Sequence, residues 1–175
     1  RFFSFNSPQG ACSGCGGLGS EMKIDSELIV PDKKKSLLSG CLVPYGEQPN
    51  TNWIGQIIKS LLLKYNTSYS TPWYQLPVDV RRIILYGTLP KDSFQISYQS
   101  KNFKGEFKGK FRGIIKNLEK RYSQTQSSYI REWIENFMTI QPCNQCKGSR
   151  LKNTHTSVYI NGLNIYEVGN LSIVE

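Results

Sequence analysis

Histidine is almost absent from this chain, with His155 alone among 175 residues. Cys–His nucleophilic chemistry would need that one residue plus an unengaged cysteine, and the 13 carboxylates are scattered with no paired constellation for acid–base work. No Gly-x-x-x-x-Gly-Lys-Ser/Thr phosphate loop occurs. Gly14-x-Gly16-x-x-Gly19 has a dinucleotide spacing, but it encloses Cys15 and lacks a buried strand before it and a helix after it. The chain therefore shows no catalytic machinery. Long apolar runs are missing too: the longest, around Ile57 to Leu63, is broken by Lys59 and Ser60 and falls short of the roughly 20 residues of a membrane helix. There is no signal peptide and no initiating Met; Arg1-Phe2-Phe3-Ser4-Phe5 opens in mid-phrase, as expected of an excised piece of a larger protein. Cysteine is sparse, with five residues, which favours a metal site over the disulfide framework of a small secreted domain.

Four of the five cysteines nevertheless form a pattern. Cys12-Ser13-Gly14-Cys15-Gly16-Gly17 and Cys143-Asn144-Gln145-Cys146-Lys147-Gly148 share the plan Cys-x-x-Cys-x-Gly at opposite ends of the chain. Two intervening residues let both thiolates of a pair reach one ion from a tight turn, and the glycine lets the backbone turn so that its amides can face sulfur. The two pairs read most simply as halves of one tetrahedral, four-cysteine zinc site, with Cys12, Cys15, Cys143 and Cys146 as ligands. Such a closed site builds structure and leaves no position for water. A thioredoxin-like redox role is weaker, because neither pair sits between a clear strand and a long helix. Cys41 has no partner at metal spacing and reads as a small buried side chain. His155 opens a strand-like run to Ile160 and reads as structural.

Charge is uneven. Lys and Arg total 22 against 13 Asp and Glu, a formal +9, which four thiolates and one zinc ion would lower to about +7. Tyr45 to Phe137 holds 14 basic and 7 acidic residues, and within it Lys91 to Arg121 holds 9 against 3. The half-sites at the ends and the basic middle suggest an α+β arrangement: a zinc-stapled base formed by the two chain ends, 1–44 and 138–175, with an inserted mixed helix and hairpin module at 45–137. In the base, Phe2 to Phe5 and Glu21 to Ile24 read as extended. In the insertion, Trp53, Ile57, Leu61 and Tyr65 mark a helix over 52–65 with Asn50 and Thr51 as candidate caps. A second helix runs from Pro77 to Tyr86 and stops at Gly87. Phe94 to Tyr98 and Phe103 to Phe111 predict a hairpin, followed by helices at 114–122 and 127–138, the latter burying Ile130, Trp133, Ile134 and Phe137. Val158 to Ile160, Asn161-Gly162 and Leu163 to Ile165 predict a smaller hairpin.

One segment repeats: Phe103-Lys104-Gly105-Glu106, Phe107-Lys108-Gly109-Lys110, Phe111-Arg112-Gly113-Ile114. If it is extended, alternation sets the phenylalanines and glycines on one face and Lys104, Glu106, Lys108, Lys110 and Arg112 on the other, with neighbouring charges about 6.6 Å apart. With Lys101, Lys116, Lys120 and Arg121 nearby, this basic comb is the candidate nucleic-acid face, contacting phosphate and shape rather than base edges.

Longer phrases then carry a resemblance. Phe3-Ser4-Phe5-Asn6-Ser7-Pro8-Gln9-Gly10-Ala11-Cys12 with Cys15 and Gly17-Leu18-Gly19 resembles the zinc-bearing segment of the UvrA family of bacterial excision-repair ATPases. So do Leu28-Ile29-Val30-Pro31-Asp32, Ile84-Leu85-Tyr86-Gly87, Asn117-Leu118-Glu119-Lys120-Arg121-Tyr122, and Pro142-Cys143 with Cys146, Gly148, Arg150 and Leu151. The resemblance implies part of the first signature domain of a cytoplasmic, dimeric ABC-type ATPase, interrupted by the family's insertion domain. That parent finds bulky lesions in DNA and loads UvrB in nucleotide excision repair. It implies that Cys12, Cys15, Cys143 and Cys146 are the zinc ligands and that the insertion contacts DNA. ATP and Mg would belong to the parent alone, since its phosphate loop and its UvrB-binding domain fall outside this chain. Arg112 departs from the family's phrase, which often carries an acidic residue there. The Cys12-x-x-Cys15-x-Gly17-x-Gly19 spacing also fits the zinc repeat of DnaJ-type chaperones, which pack four repeats closely where this chain has two far apart. A purely structural insertion that positions neighbouring domains is the remaining alternative.

Overall fold

The computed structural model describes residues 1–47, 53–89, 94–99 and 104–172. Helices and three two-stranded sheets mix in an α+β chain that divides into two compact units, 1–23 with 139–175 and 24–138. The sequence reading divides at 44/45. Residues 24–44 join the middle of the chain because their apolar side chains, Ile29, Val30, Leu37, Cys41 and Leu42, are buried in its core.

That core is built by helices. A short helix, α1 (Ser26–Ile29), is capped by the Asp25 carboxylate accepting from the Glu27 amide. α2 (Trp53–Lys64) buries Ile57, Ile58, Leu61 and Leu62. The stripe is rotated from its expected line, leaving Trp53 47% exposed, because the 57/58/61/62 pairs make the wider apolar face. The caps expected at Asn50 and Thr51 lie outside the described residues. α3 (Val78–Tyr86) starts after Pro77, whose carbonyl accepts the first helical hydrogen bond from Arg81. It ends at Gly87, in the left-handed region at φ 91°, whose amide donates to the Ile83 carbonyl.

β2 (Phe94–Gln99) and β3 (Lys104–Gly109) form the expected antiparallel hairpin, with Gln95 opposite Lys108, Ser97 opposite Glu106 and Gln99 opposite Lys104. Phe103 lies outside the described residues. The strand stops at Gly109, short of the expected Phe111, because Phe111 turns into the helical core, where it is 3% exposed. There the Phe111 carbonyl accepts from the Thr88 amide at 2.8 Å. Gly87 and Gly113 meet backbone to backbone at this crossing: a Cβ on Gly113 would lie 2.4 Å from the Gly87 nitrogen.

α4 (Ile114–Gln124) buries Ile114, Ile115 and Leu118. α5 (Ser128–Glu135) is capped by the Ser127 hydroxyl, which accepts from the Ile130 amide, and buries Ile134. It ends three residues before the expected Met138. The chain goes extended there because the Phe137 carbonyl accepts from the Asp25 amide at 2.8 Å and Met138 begins β4 (Met138–Pro142), which pairs with β1 (Ser20–Ile24). A ladder bond offered across the chain outweighs one more helical turn.

In the first unit, Phe2 to Phe5 is not a strand. Successive turn bonds, Ser4 to Arg1 and Ser7 to Ser4, coil it against Gly10, where a Cβ would come within 2.4 Å of the Ser4 carbonyl. His155 lies in a short helix, α6 (Asn153–Thr156), rather than at a strand start. Its ring sits 5.4 Å from that of Phe2, and Nε2 is 3.0 Å from the Gln9 carbonyl, so the histidine fastens these turns. β5 (Tyr159–Ile160) and β6 (Leu163–Asn164) form the small hairpin on Asn161 and Gly162, both at positive φ as its two-residue turn requires. Ile165 does not extend β6. Asn164 and Glu167 form a reciprocal capping box that starts α7 (Ile165–Gly169).

Candidate metal centre and basic face

Cys12 and Cys15 sit in a turn that glycine permits: Gly16 and Gly17 have φ of 60° and 89°, and the Leu18 amide donates to the Cys15 carbonyl. Cys143 and Cys146 repeat it, with Lys147 at φ 53°, Gly148 at φ 96°, and the Lys147 amide donating to the Cys143 carbonyl at 2.8 Å. The two turns are laced reciprocally. The Cys12 amide donates to the Arg150 carbonyl at 2.8 Å, and the Cys143 amide donates to the Gly19 carbonyl at 2.9 Å. Asn144 adds a bond from its amide to the Glu21 carboxylate, which pairs with Lys23; that ion pair and the amide hold the Glu21 carboxyl below its ordinary range.

The result brings four residues, in pairs separated by over a hundred positions, to one point. The four Sγ atoms lie within 4.8 Å of one another, all buried, all free thiols. Cys15 and Cys146 Sγ are 3.7 Å apart, too far for a disulfide and close to the roughly 3.8 Å edge of a tetrahedron with 2.3 Å metal–sulfur bonds. The Gly19 amide donates to Cys15 Sγ at 3.1 Å. Burial opposes ionisation of Cys15, but hydrogen bonds from the Gly19 and Gly17 amides and from the Cys146 and Cys12 thiols together outweigh it and bring its pKa to about 7; burial pushes Cys146 up to about 11. Four soft donors, an aimed amide and no open side make a group that could hold a metal ion. Cys41 takes no part: it lies 1% exposed in the helical core, and burial raises its pKa to about 12.

The basic residues distribute over the second unit. Lys101 lies outside the described residues. Lys104 and Lys108 fall in β3, Lys108 exposed; Lys110 and Arg112 are exposed beyond the strand end, and Lys116, Lys120 and Arg121 are exposed on α4. The comb is therefore extended only as far as Gly109, and its last two charges follow the turn toward α4. Lys120 and Arg121 come together with Asn117, Gln124 and Thr125 around one shallow concavity. The three neutral residues were not singled out in sequence, although the spacing of 117, 120, 121 and 124 marks one helix face. Nor was Trp133 expected to support this face, yet the Arg121 guanidinium lies over its ring at 5.6 Å.

Residues 25–136, nearly the whole of the second unit, match the family described as UvrA DNA-binding domain. The chain belongs to that family. It is 40% identical over 176 residues to UvrABC system protein A of Methanothermobacter thermautotrophicus and 37% identical over 177 residues to that of Clostridium perfringens, with all of this chain covered in both. It spans 18% and 19% of the length of these curated relatives. Its fold is similar to the crystal structure of UvrA2 from Deinococcus radiodurans, at a TM-score of 0.63 and 24% identity over 97% of this chain and 21% of that one. Among the described residues no helix is long and apolar enough to cross a membrane.

Proposed function

We propose that this chain is the zinc-bearing, DNA-contacting segment of a UvrA protein acting in nucleotide excision repair in the cytoplasm. The observation that carries the reading is family membership over residues 25–136 joined to whole-chain likeness to UvrABC system protein A. The four thiols take one zinc ion: Cys12, Cys15, Cys143 and Cys146 supply a closed donor set of the type zinc prefers, and the ion staples the two chain ends. In this reading the chain ends form part of an ABC signature domain and the middle is an insertion. The ATPase activity, the dimer and the loading of UvrB belong to the parent protein, outside these residues.

DNA contact falls to the basic middle. Lys101, Lys104, Lys108, Lys110 and Arg112 on and around the hairpin, with Lys116, Lys120 and Arg121 on α4, neutralise phosphates. The exposure of Lys108, Lys110, Arg112, Lys116, Lys120 and Arg121 suits this role. The test is equilibrium binding of the zinc-loaded chain to one duplex, with and without a bulky lesion, across a salt series. Binding that weakens steeply with salt is the expected result, and a lesion preference would place part of damage sensing here. Absence of binding at low salt defeats the reading.

A further inference from the structure

α4 has two sides. Ile114, Ile115 and Leu118 face the core; Asn117, Lys120, Arg121 and Gln124, with Thr125 just past the helix end, line an open concavity of about 340 Å³ on the flank beside that buried stripe. At 100° per residue, Glu119, the only carboxylate on this helix, points at least about 100° away from every one of those five. Lys120 and Arg121 join none of the ion pairs among the described residues. The five lining residues therefore offer positive charge and amide donors, and none of them is a carboxylate.

Arg121 is also held. Its guanidinium lies over Trp133 of α5, and Trp133 meets Phe137 edge to face at 5.3 Å, with Phe137 itself only 6% exposed. A cation–π contact holds a guanidinium through its charge and consumes no N–H donor, which leaves the fork free for a phosphate's two oxygens. A surface arginine with no such support would lose rotamer freedom on binding; here much of that ordering is already done.

We propose that Trp133 positions Arg121, so that within the basic face this α4 concavity is a pre-ordered phosphodiester subsite for duplex DNA, separable from the hairpin. Lys120 and Arg121 contact phosphate oxygens, Asn117 and Gln124 add neutral donors, and Trp133 is a positioning residue that acts through Arg121. The proposal rests on the reading that this chain contacts DNA.

The experiment is fluorescence anisotropy of a labelled undamaged duplex with the zinc-loaded chain over a salt series. The double variant K120Q/R121Q should bind roughly tenfold more weakly, with the slope of log K against log salt reduced by about two. Trp133→Leu should weaken binding while leaving the slope unchanged, since no charge is removed, and Trp133→Phe should restore most of the affinity. Because Trp133 also packs on the core, Arg121→Lys is the independent arm: it keeps the charge and the slope but loses the planar fork, and weaker binding is expected. Wild-type affinity and slope in K120Q/R121Q would overturn the subsite while leaving DNA contact by the comb intact. Full affinity in both Trp133→Leu and Arg121→Lys would overturn the positioning role. Failure of the unaltered chain to bind at low salt is a different result and removes the DNA reading itself.

Discussion

Glycine at two positions does work no other residue can do. Gly87 sits at φ 91° with the Phe111 carbonyl 2.5 Å from where a Cβ would be, and Gly113 faces it across the same crossing. Gly87→Ala should lower the unfolding free energy, read from urea titration, by more than the roughly 1 kcal/mol of a left-handed alanine alone, because backbone atoms must move apart. Gly46→Ala, at φ 65° in open space, is the control that costs the conformational term only. Cys41 provides a second check at this scale. Its pKa rises from the ordinary 9.0 to about 12 through burial. Between these values the unfolded thiol has lost its proton and the folded one keeps it, so stability present below pH 9 falls as pH rises toward 12. Urea titrations over that interval should show the decline, and Cys41→Ala should shed this group's share of it. Iodoacetamide at mild alkaline pH should leave the folded chain's Cys41 unmodified.

Elements here are decided by what they pack against. α4 is anchored by Leu118, 2% exposed, and its truncation to alanine should cost about 2–5 kcal/mol by calorimetry or denaturant unfolding. Lys108 on β3 is exposed, so reversing its charge should leave stability within about 0.5 kcal/mol. The same reversal should weaken DNA binding and flatten its salt dependence. Unchanged affinity would remove Lys108 from the interface. At the element scale most helices were legible from apolar spacing, as with Ile57 and Leu61 in α2 or Ile134 in α5. The strands were less so: Phe2 to Phe5 has strand composition yet coils in turns, because among the described residues no strand pairs with it and its amides bond locally instead.

At the scale of the whole molecule the two units rest on different foundations. The second has an apolar core contributed by α1 to α5, whereas the buried cluster of the first is its four cysteines. Removal of the proposed zinc by a chelator should therefore release hydrogen-exchange protection around residues 10–20 and 139–152 while the amides of α2, α3 and α4 stay protected. Cys143→Ser should reproduce that pattern and lower the bound zinc from one ion per chain. Simultaneous loss of protection in both units would show that the metal supports the entire chain.

The amino-acid sequence by itself determined the two cysteine turns, since Cys-x-x-Cys-x-Gly encodes a complete local turn whose geometry needs little outside help. It also determined the main helices, through apolar residues at three- and four-residue spacing, and the basic character of the middle. Tertiary structure alone decided that residues 24–44 belong with the middle, because their apolar side chains had to be buried somewhere and local pattern does not say where. It decided as well that Phe111 leaves the comb for the core and that Met138 leaves α5 for a ladder with β1. Placing Arg121 on Trp133 likewise required two helices to meet. Such contacts join residues distant in sequence, and their energies exist only once the chain has brought them together.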